Sequence, residues 1–255
     1  MTAETELLRA EGISHAFRDG RRGLDGVNLS VRESDFLLLA GRNGAGKTLL
    51  AQRLAGLRKP QEGRVLYRGE PTGARLAFLR ARAGIVFQDA QAQVIGQTVF
   101  EDVAFGPTNL GLSREECEDR ASSALALVSM EGMGSRNPAT LSGGELRRLA
   151  IAGLLAMGRE CLILDEPFAN LDYPSIRMVL ETLVALHSKG TAIVMLTHEI
   201  EKALGHATRL AVMDAGKVIF EGDPDALEPG DFLSYGLHNP YRARESRADL
   251  SWLIA

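Results

Sequence analysis

The stretch FLLLAGRNGAGKT, residues 36–48, decides the fold. Its first five residues are apolar without a break, the pattern of a strand buried on both faces within a helix-covered sheet. The next eight, GRNGAGKT, fit G-x-x-x-x-G-K-[ST] between that strand and a following helix. Gly41, Gly44 and Gly46 let backbone N–H groups close around phosphate oxygens, with Arg42, Asn43 and Ala45 completing the loop. Lys47 brings a point charge to the β- and γ-phosphates, and Thr48 offers a hydroxyl to Mg2+. Alone, the loop says only that a nucleoside triphosphate is bound.

Two further motifs narrow the chemistry. In CLILDEP, residues 161–167, four apolar residues bury a strand and deliver Asp165 and Glu166 at its C-terminal end, where open α/β sheets bind ligands. Asp165 is placed to hold Mg2+ through water, and Glu166 to polarise an attacking water. In LSGGE, residues 141–145, Ser142, Gly143 and Gly144 stand at a helix N-terminus, which attracts anions through free N–H groups and the helix dipole. A second phosphate site in one chain either binds another ligand or completes a partner's site.

Composition is ordinary for a soluble globular protein. The 255 residues allow one domain with an added lobe, or two small domains. A net charge of −4 argues against nucleic acid as the main partner. The acidic N-terminus does not read as a signal peptide, and the apolar runs are too short to span a membrane. The two cysteines, Cys117 and Cys161, make no metal cluster with the five histidines. Strand-like runs at 7–9, 13–17, 27–31 and 36–40 precede a helix through residue 57. A helical stretch follows from about 98, with Ser113 and Glu116 forming a capping box. Further on, strands alternate with helices, which implies a mainly parallel sheet. The tail, residues 223–255, ends in an apolar cluster with Trp252 and reads as a last helix on the body or as a subunit contact.

In order and spacing, GRNGAGKT, Gln88 in VFQ, LSGGE, CLILDE, NLD and LTHE resemble the ATPase subunit of ATP-binding cassette (ABC) transporters over residues 5–222. The resemblance implies an α/β, RecA-like P-loop NTPase core with a mainly parallel sheet. It also implies an antiparallel β subdomain, an inserted α-helical subdomain at about 98–158, and a short C-terminal extension at 223–255. By the same resemblance Phe17 stacks on adenine, Gln88 contacts Mg2+ and the attacking water, and His198 contacts the γ-phosphate. Ser142, Gly143 and Gly144 close over ATP held by the opposite subunit, and Asp172 crosses the interface. Two chains, identical or siblings, then stack head to tail around two ATP. Departures are Ser34-Asp35 where Gly-Glu is frequent, Leu49 after the loop, and Asn170 where a small residue is frequent.

TVFEDVAFGPTNLGLS, residues 98–113, resembles the cobalt- and vitamin-type energy-coupling factor (ECF) ATPases, and DAQAQVIG occupies the place of a short extra helix. This implies a peripheral subunit on the cytoplasmic side of the cell membrane, working with a transmembrane scaffold and a substrate-binding membrane subunit. Another ABC transporter ATPase, or a soluble ABC ATPase of the iron–sulfur assembly type, is the alternative. Val94, Ile95, Val99 and Phe100 with Asp89, Glu101 and Asp102 suit a basic amphipathic helix from a membrane partner. The competing reading puts Phe100, Val103 and Phe105 in the core and leaves the acids as a solvated face.

Overall fold

The structure is a computed structural model and describes residues 5–73 and 75–240. Strands β1 (Glu6–Ala16) and β2 (Arg22–Arg32) form an antiparallel pair, and β3 (Phe36–Ala40) leads into α1 (Lys47–Leu54). Next come β4 (Glu62–Tyr67), β5 (Glu70–Pro71), α2 (Leu76–Arg80) and β6 (Ala83–Val86). A helical lobe follows: α3 (Val99–Asn109), α4 (Arg114–Leu127) and α5 (Gly143–Ala156). The chain then re-enters the sheet through β7 (Cys161–Asp165), α6 (Tyr173–Ser188) and β8 (Ala192–Thr197). It closes with β9 (Arg209–Asp214), β10 (Lys217–Gly222) and α7 (Pro229–Ser234).

The strands sort into a four-stranded antiparallel sheet, β2-β1-β4-β5, and a six-stranded sheet, β10-β9-β3-β8-β7-β6. All pairs of the larger sheet are parallel except β10 with β9. The side-chain period of two explains the unbroken apolar runs. Phe36, Leu38 and Ala40 of β3 join the core on the helical side, while Leu37 and Leu39 join the core against the smaller sheet. In β7, Leu162 and Leu164 split from Cys161 and Ile163 in the same way. Each such fully buried Leu or Ile is worth about 1.5–3 kcal/mol of transfer free energy. Burial also pushes the Cys161 thiol up to about 12, leaving it inert.

The elements differ from the sequence reading in places. The runs at 7–9 and 13–17 are one strand, β1, whose register shifts between Ala10 and Ile13. Helix α1 ends at Leu54, before residue 57. The predicted capping box of α4 is present, and α3 and α5 have boxes as well, from Thr98 with Glu101 and Ser142 with Glu145. The extra-helix segment is a single 3-10 turn, Gln91–Gln93. Gln93 holds it to the end of β6, accepting from the Phe87 N–H at 2.8 Å and donating to the Ile85 carbonyl at 3.1 Å. Phe105, read with the core, is 44% exposed. Phe232 and Leu237 of the C-terminal extension are buried in the main core, so this stretch up to residue 240 is continuous with the body. Trp252 lies outside the described residues.

One polar cluster ties the two sheets. Arg209 at the start of β9 is 7% exposed, and Asp35 just before β3 is 2% exposed. Arg209 donates to Asp35 at 2.6 Å, to the Ser30 carbonyl of β2 at 3.2 Å, and to Glu221 of β10. Asp35 also accepts from the Arg32 N–H at 2.8 Å. Burial nevertheless holds the Asp35 carboxyl above the usual carboxylate range, against the pull of those hydrogen bonds and of Arg209.

Candidate active site

The loop after β3, the segments at the ends of β6 and β7, and the turn before β2 converge on an open cleft of about 370 Å3. Strand order explains the convergence: β3 and β7 both pair in parallel with β8, so their C-terminal ends share one edge of the sheet. Asn43, Gly44, Ala45, Gly46, Lys47 and Thr48 line the cleft, opposite Gln88, Asp165 and Glu166. Gly41 and Arg42 lie behind the loop, and their carbonyls accept from Lys47 Nζ at 2.6 and 3.3 Å.

Charge is concentrated at the floor. Lys47 is buried, and desolvation lowers its pKa, partly opposed by Glu166 and Asp165. Its Nζ stands 4.0 Å from Glu166 Oε1, and the same carboxylate oxygen is 2.8 Å from His198 Nδ1. Glu166 has φ +48°, a left-handed conformation unusual for a non-glycine residue. Its N–H donates to the Leu196 carbonyl of β8 at 2.9 Å, which holds it there. Burial raises the Asp165 carboxyl above its usual range, and the Thr48 hydroxyl, donating at 2.7 Å, opposes that shift.

These two oxygens suit Mg2+. Magnesium takes oxygen ligands and keeps several waters. The Thr48 hydroxyl and the Asp165 carboxylate, joined by a 2.7 Å hydrogen bond, supply oxygens of that kind, and Asp165 would reach the ion through water. The described residues contain no group of three acidic, His or Cys ligands. Magnesium here therefore needs phosphate oxygens and waters besides Thr48 and Asp165.

Phe17 is 40% exposed and lines the cleft, so it is not a core side chain. The His15 ring packs edge-on against it at 5.1 Å, and the Arg21 guanidinium lies 5.5 Å from its centroid. Arg21, Arg22 and Gly23 also line the cleft and were not singled out from the sequence. Their stretch, RDGRRG at residues 18–23, carries three cations and two glycines, but only the fold brings it beside the phosphate loop. A Cβ on Gly23 would stand 2.6 Å from Leu49 Cδ1 and 2.8 Å from the Phe17 ring. Gly23→Val is therefore expected to displace Phe17 and to raise the KM for ATP by roughly 2–10-fold, the worth of one aromatic contact. Competition by inorganic tripolyphosphate, which lacks adenine, should be unchanged. Equal weakening of both ligands would show that the loop, rather than the Phe17 seat, had moved.

Ser142, Gly143, Gly144 and Asp172 lie outside the cleft. Ser142 caps α5: its Oγ accepts from the Glu145 N–H, while Glu145 accepts from the Ser142 N–H at 2.7 Å. Asp172 caps α6, accepting from the Ser175 N–H at 3.1 Å. A Cβ on Gly144 would sit 2.8 Å from Ser175 Cβ, so this glycine also lets α5 approach α6.

Two of the acids assigned to partner docking are already engaged. Glu101 accepts from the Gln97 and Thr98 N–H groups, both at 3.1 Å. Asp102 accepts from the Ile95 and Gly96 N–H groups at 2.7 and 2.9 Å. They fold the entry to α3 through one oxygen each, because unpaired N–H groups at a helix start recruit the nearest carboxylates. Asp89 accepts from the Ala92 N–H at 3.3 Å, and Ile95, farther along the same segment, is 64% exposed.

Comparison with known proteins agrees in sequence and in shape. The profile of the ABC transporter family matches residues 24–169. The chain is 42% identical over 237 residues to the energy-coupling factor transporter ATP-binding protein EcfA of Methanosarcina acetivorans, covering 92% of this chain and 86% of that one. It superposes on the structure of CbiO1 from Clostridium perfringens, described as part of the ABC transporter complex CbiONQ. The TM-score is 0.81 at 34% identity, covering 87% of this chain and 90% of that one. It is also similar to a dimeric ATP-binding cassette in a post-hydrolysis state bound to ADP and Pi, with a TM-score of 0.76 at 26% identity. That match covers 87% of this chain and all of the other.

Proposed function

The chain belongs to the ABC transporter family, and from that premise we propose that it is the ATP-hydrolysing motor of an ECF-type importer for a metal ion or vitamin. The observation that carries the reading is the division of the site. Lys47, Thr48, Asp165 and Glu166 meet at one cleft, with His198 held against Glu166 at 2.8 Å, while Ser142, Gly143 and Gly144 are held on α5 outside its lining. A second ATPase, identical or a sibling, would bring its own α5 to the γ-phosphate, with Asp172 at the seam.

The chemistry follows from positions. The loop N–H groups and Lys47 hold the phosphates, and Phe17 carries adenine. Thr48 and Asp165 would hold Mg2+, with Gln88 beside them, and the ion would neutralise charge on the β- and γ-oxygens. Glu166 orients the attacking water and accepts its proton, while His198 steadies Glu166 through the 2.8 Å contact. Closure of the second subunit excludes water and supplies N–H donors where charge develops. Separation of ADP and phosphate removes the bridge, and the dimer opens.

Among the described residues no helix is long and apolar enough to cross a membrane. In this reading the motor acts peripherally, on the cytoplasmic side, docked to a transmembrane scaffold and a substrate-binding subunit. Residues 89–105 supply the docking face, centred on Asp89 and exposed Ile95, with Glu101 and Asp102 also tied to N–H groups at the start of α3. The relatives compared are transporter cassettes, and the iron–sulfur assembly alternative is set aside. The test is uptake in vesicles holding the motor with the membrane proteins encoded beside it. ATP is expected to drive uptake, and Ile95→Arg to abolish it while basal ATPase stays within about twofold, since a surface change away from the cleft is near neutral for the fold. Uptake that survives Ile95→Arg would remove this docking face, and a motor that never joins those membrane proteins would remove the importer reading.

A further inference from the structure

Helix α5 carries two neighbouring arginines, Arg147 and Arg148, that are 4% and 5% exposed. They reach in different directions. Arg148 Nη1 donates to the Val128 and Ser129 carbonyls, both at 3.0 Å, and so caps the C-terminal end of α4. Arg147 points to the nucleotide site. Its Nη1 donates to the Phe87 carbonyl at 2.8 Å, and its Nη2 to the Ala169 carbonyl at 3.4 Å.

Those two carbonyls belong to different loops. Phe87 precedes Gln88, which lines the cleft. Ala169 lies between Glu166 and Asp172 and precedes Asn170, whose φ of +60° marks a sharp turn. One guanidinium thus spans the loop after β6 and the loop after β7, from a helix of the lobe. Both bonds go to neutral carbonyls, and burial holds the guanidinium below its usual range, opposed by Asp89 and Asp165. Burying a cation for two carbonyl bonds is a costly way to stabilise a fold. A rigid fork that fixes the spacing of two loops is what arginine supplies and lysine cannot.

We propose that Arg147 is a positioning residue that moves the Gln88 loop and the Asn170–Asp172 loop together whenever α5 shifts, so that lobe movement is felt at both sides of the phosphate site. The proposal rests on the motor reading above. It makes α5 more than a carrier of the second anion site: the helix that meets the partner's nucleotide also reports on its own. Arg148, by contrast, bonds the same helix to the end of α4 within the lobe, at the Val128 and Ser129 carbonyls.

The test compares Arg147→Met, Arg147→Lys, Arg148→Met and Glu166→Gln in the full chain. Three quantities are measured for each: steady-state ATP hydrolysis, equilibrium ATP binding and thermal unfolding. Misplacement of site groups by about 1 Å costs up to roughly 100-fold in rate. Arg147→Met is therefore expected to lower kcat by about 10–100-fold with ATP affinity within about threefold. Arg147→Lys, which keeps the charge but reaches one carbonyl at a time, should recover part of kcat. Arg148→Met should unfold at lower temperature yet keep kcat per folded molecule. If Arg147→Met does not fold, Arg147→Lys alone decides, by a reduced kcat at unchanged affinity. Wild-type kcat in either Arg147 variant, or losses that only track the folded fraction, would overturn the proposal. Glu166→Gln separates the two levels: should it hydrolyse ATP normally, the motor reading itself fails, whereas its inactivity beside a fully active Arg147→Met sinks only the role of Arg147.

Discussion

Glu166→Gln should bind ATP, accumulate a closed dimer and turn over roughly 10²–10⁴-fold more slowly than the wild type, the usual worth of a general base. The substitution is nearly isosteric. An amide keeps the hydrogen-bonding reach to His198 Nδ1, now 2.8 Å from the carboxylate, and fits the same left-handed turn at the end of β7. What it loses is the ability to take a proton from water. It also removes a negative charge 4.0 Å from Lys47 Nζ, which frees that cation for the phosphates and favours the ATP-bound form. Phosphate release after rapid mixing, together with size-exclusion chromatography in ATP, would read both effects. A turnover rate within about threefold of wild type would take the base role from Glu166.

Arg209→Leu should lower the unfolding free energy by about 3–5 kcal/mol, because it leaves Asp35 buried without its cation. Asp35 is 2% exposed, and Arg209 joins it to Ser30 of β2 and Glu221 of β10. The double variant Arg209→Leu with Asp35→Leu should regain much of the loss, since apolar replacements of a whole buried ion pair are frequently neutral or better. The deficit of the single variant should depend on pH. Because the folded Asp35 carboxyl lies above its unfolded value, the native state binds the proton first. Lowering the pH through the range between those two values therefore favours the native state at this site. Removing Arg209 raises the folded value further and widens that window. The loss measured by urea unfolding should then shrink as the pH is lowered from neutrality toward the ordinary carboxylate range. A loss independent of pH would assign the effect to packing.

The helical lobe was legible where local signals act. Ser113 with Glu116, and Ser142 with Glu145, are capping boxes three residues apart, and each starts a helix. The Thr98–Glu101 box has the same spacing, and Glu101 was nonetheless read as a docking charge. A carboxylate near a helix start has competing uses, and only the fold shows which N–H groups are within reach. Phe105 was misplaced for a related reason. Its apolar character fits either side of α3, and the packing of α5 and α4 against that helix decides which side is covered.

The sequence by itself determined the nucleotide machinery, the sheet class and the family. Phosphate binding needs a short contiguous loop between a strand and a helix, and a strand buried on both faces must be apolar at every position. The tertiary structure decided which residues far apart in the chain become neighbours. It set Arg147 between Phe87 and Ala169, Arg209 between Asp35 and Glu221, and Gly23 against Phe17. A motif records spacing along one segment. Contacts of this kind depend on the order of strands in the sheet and on which helix covers which face, and no segment carries that information alone.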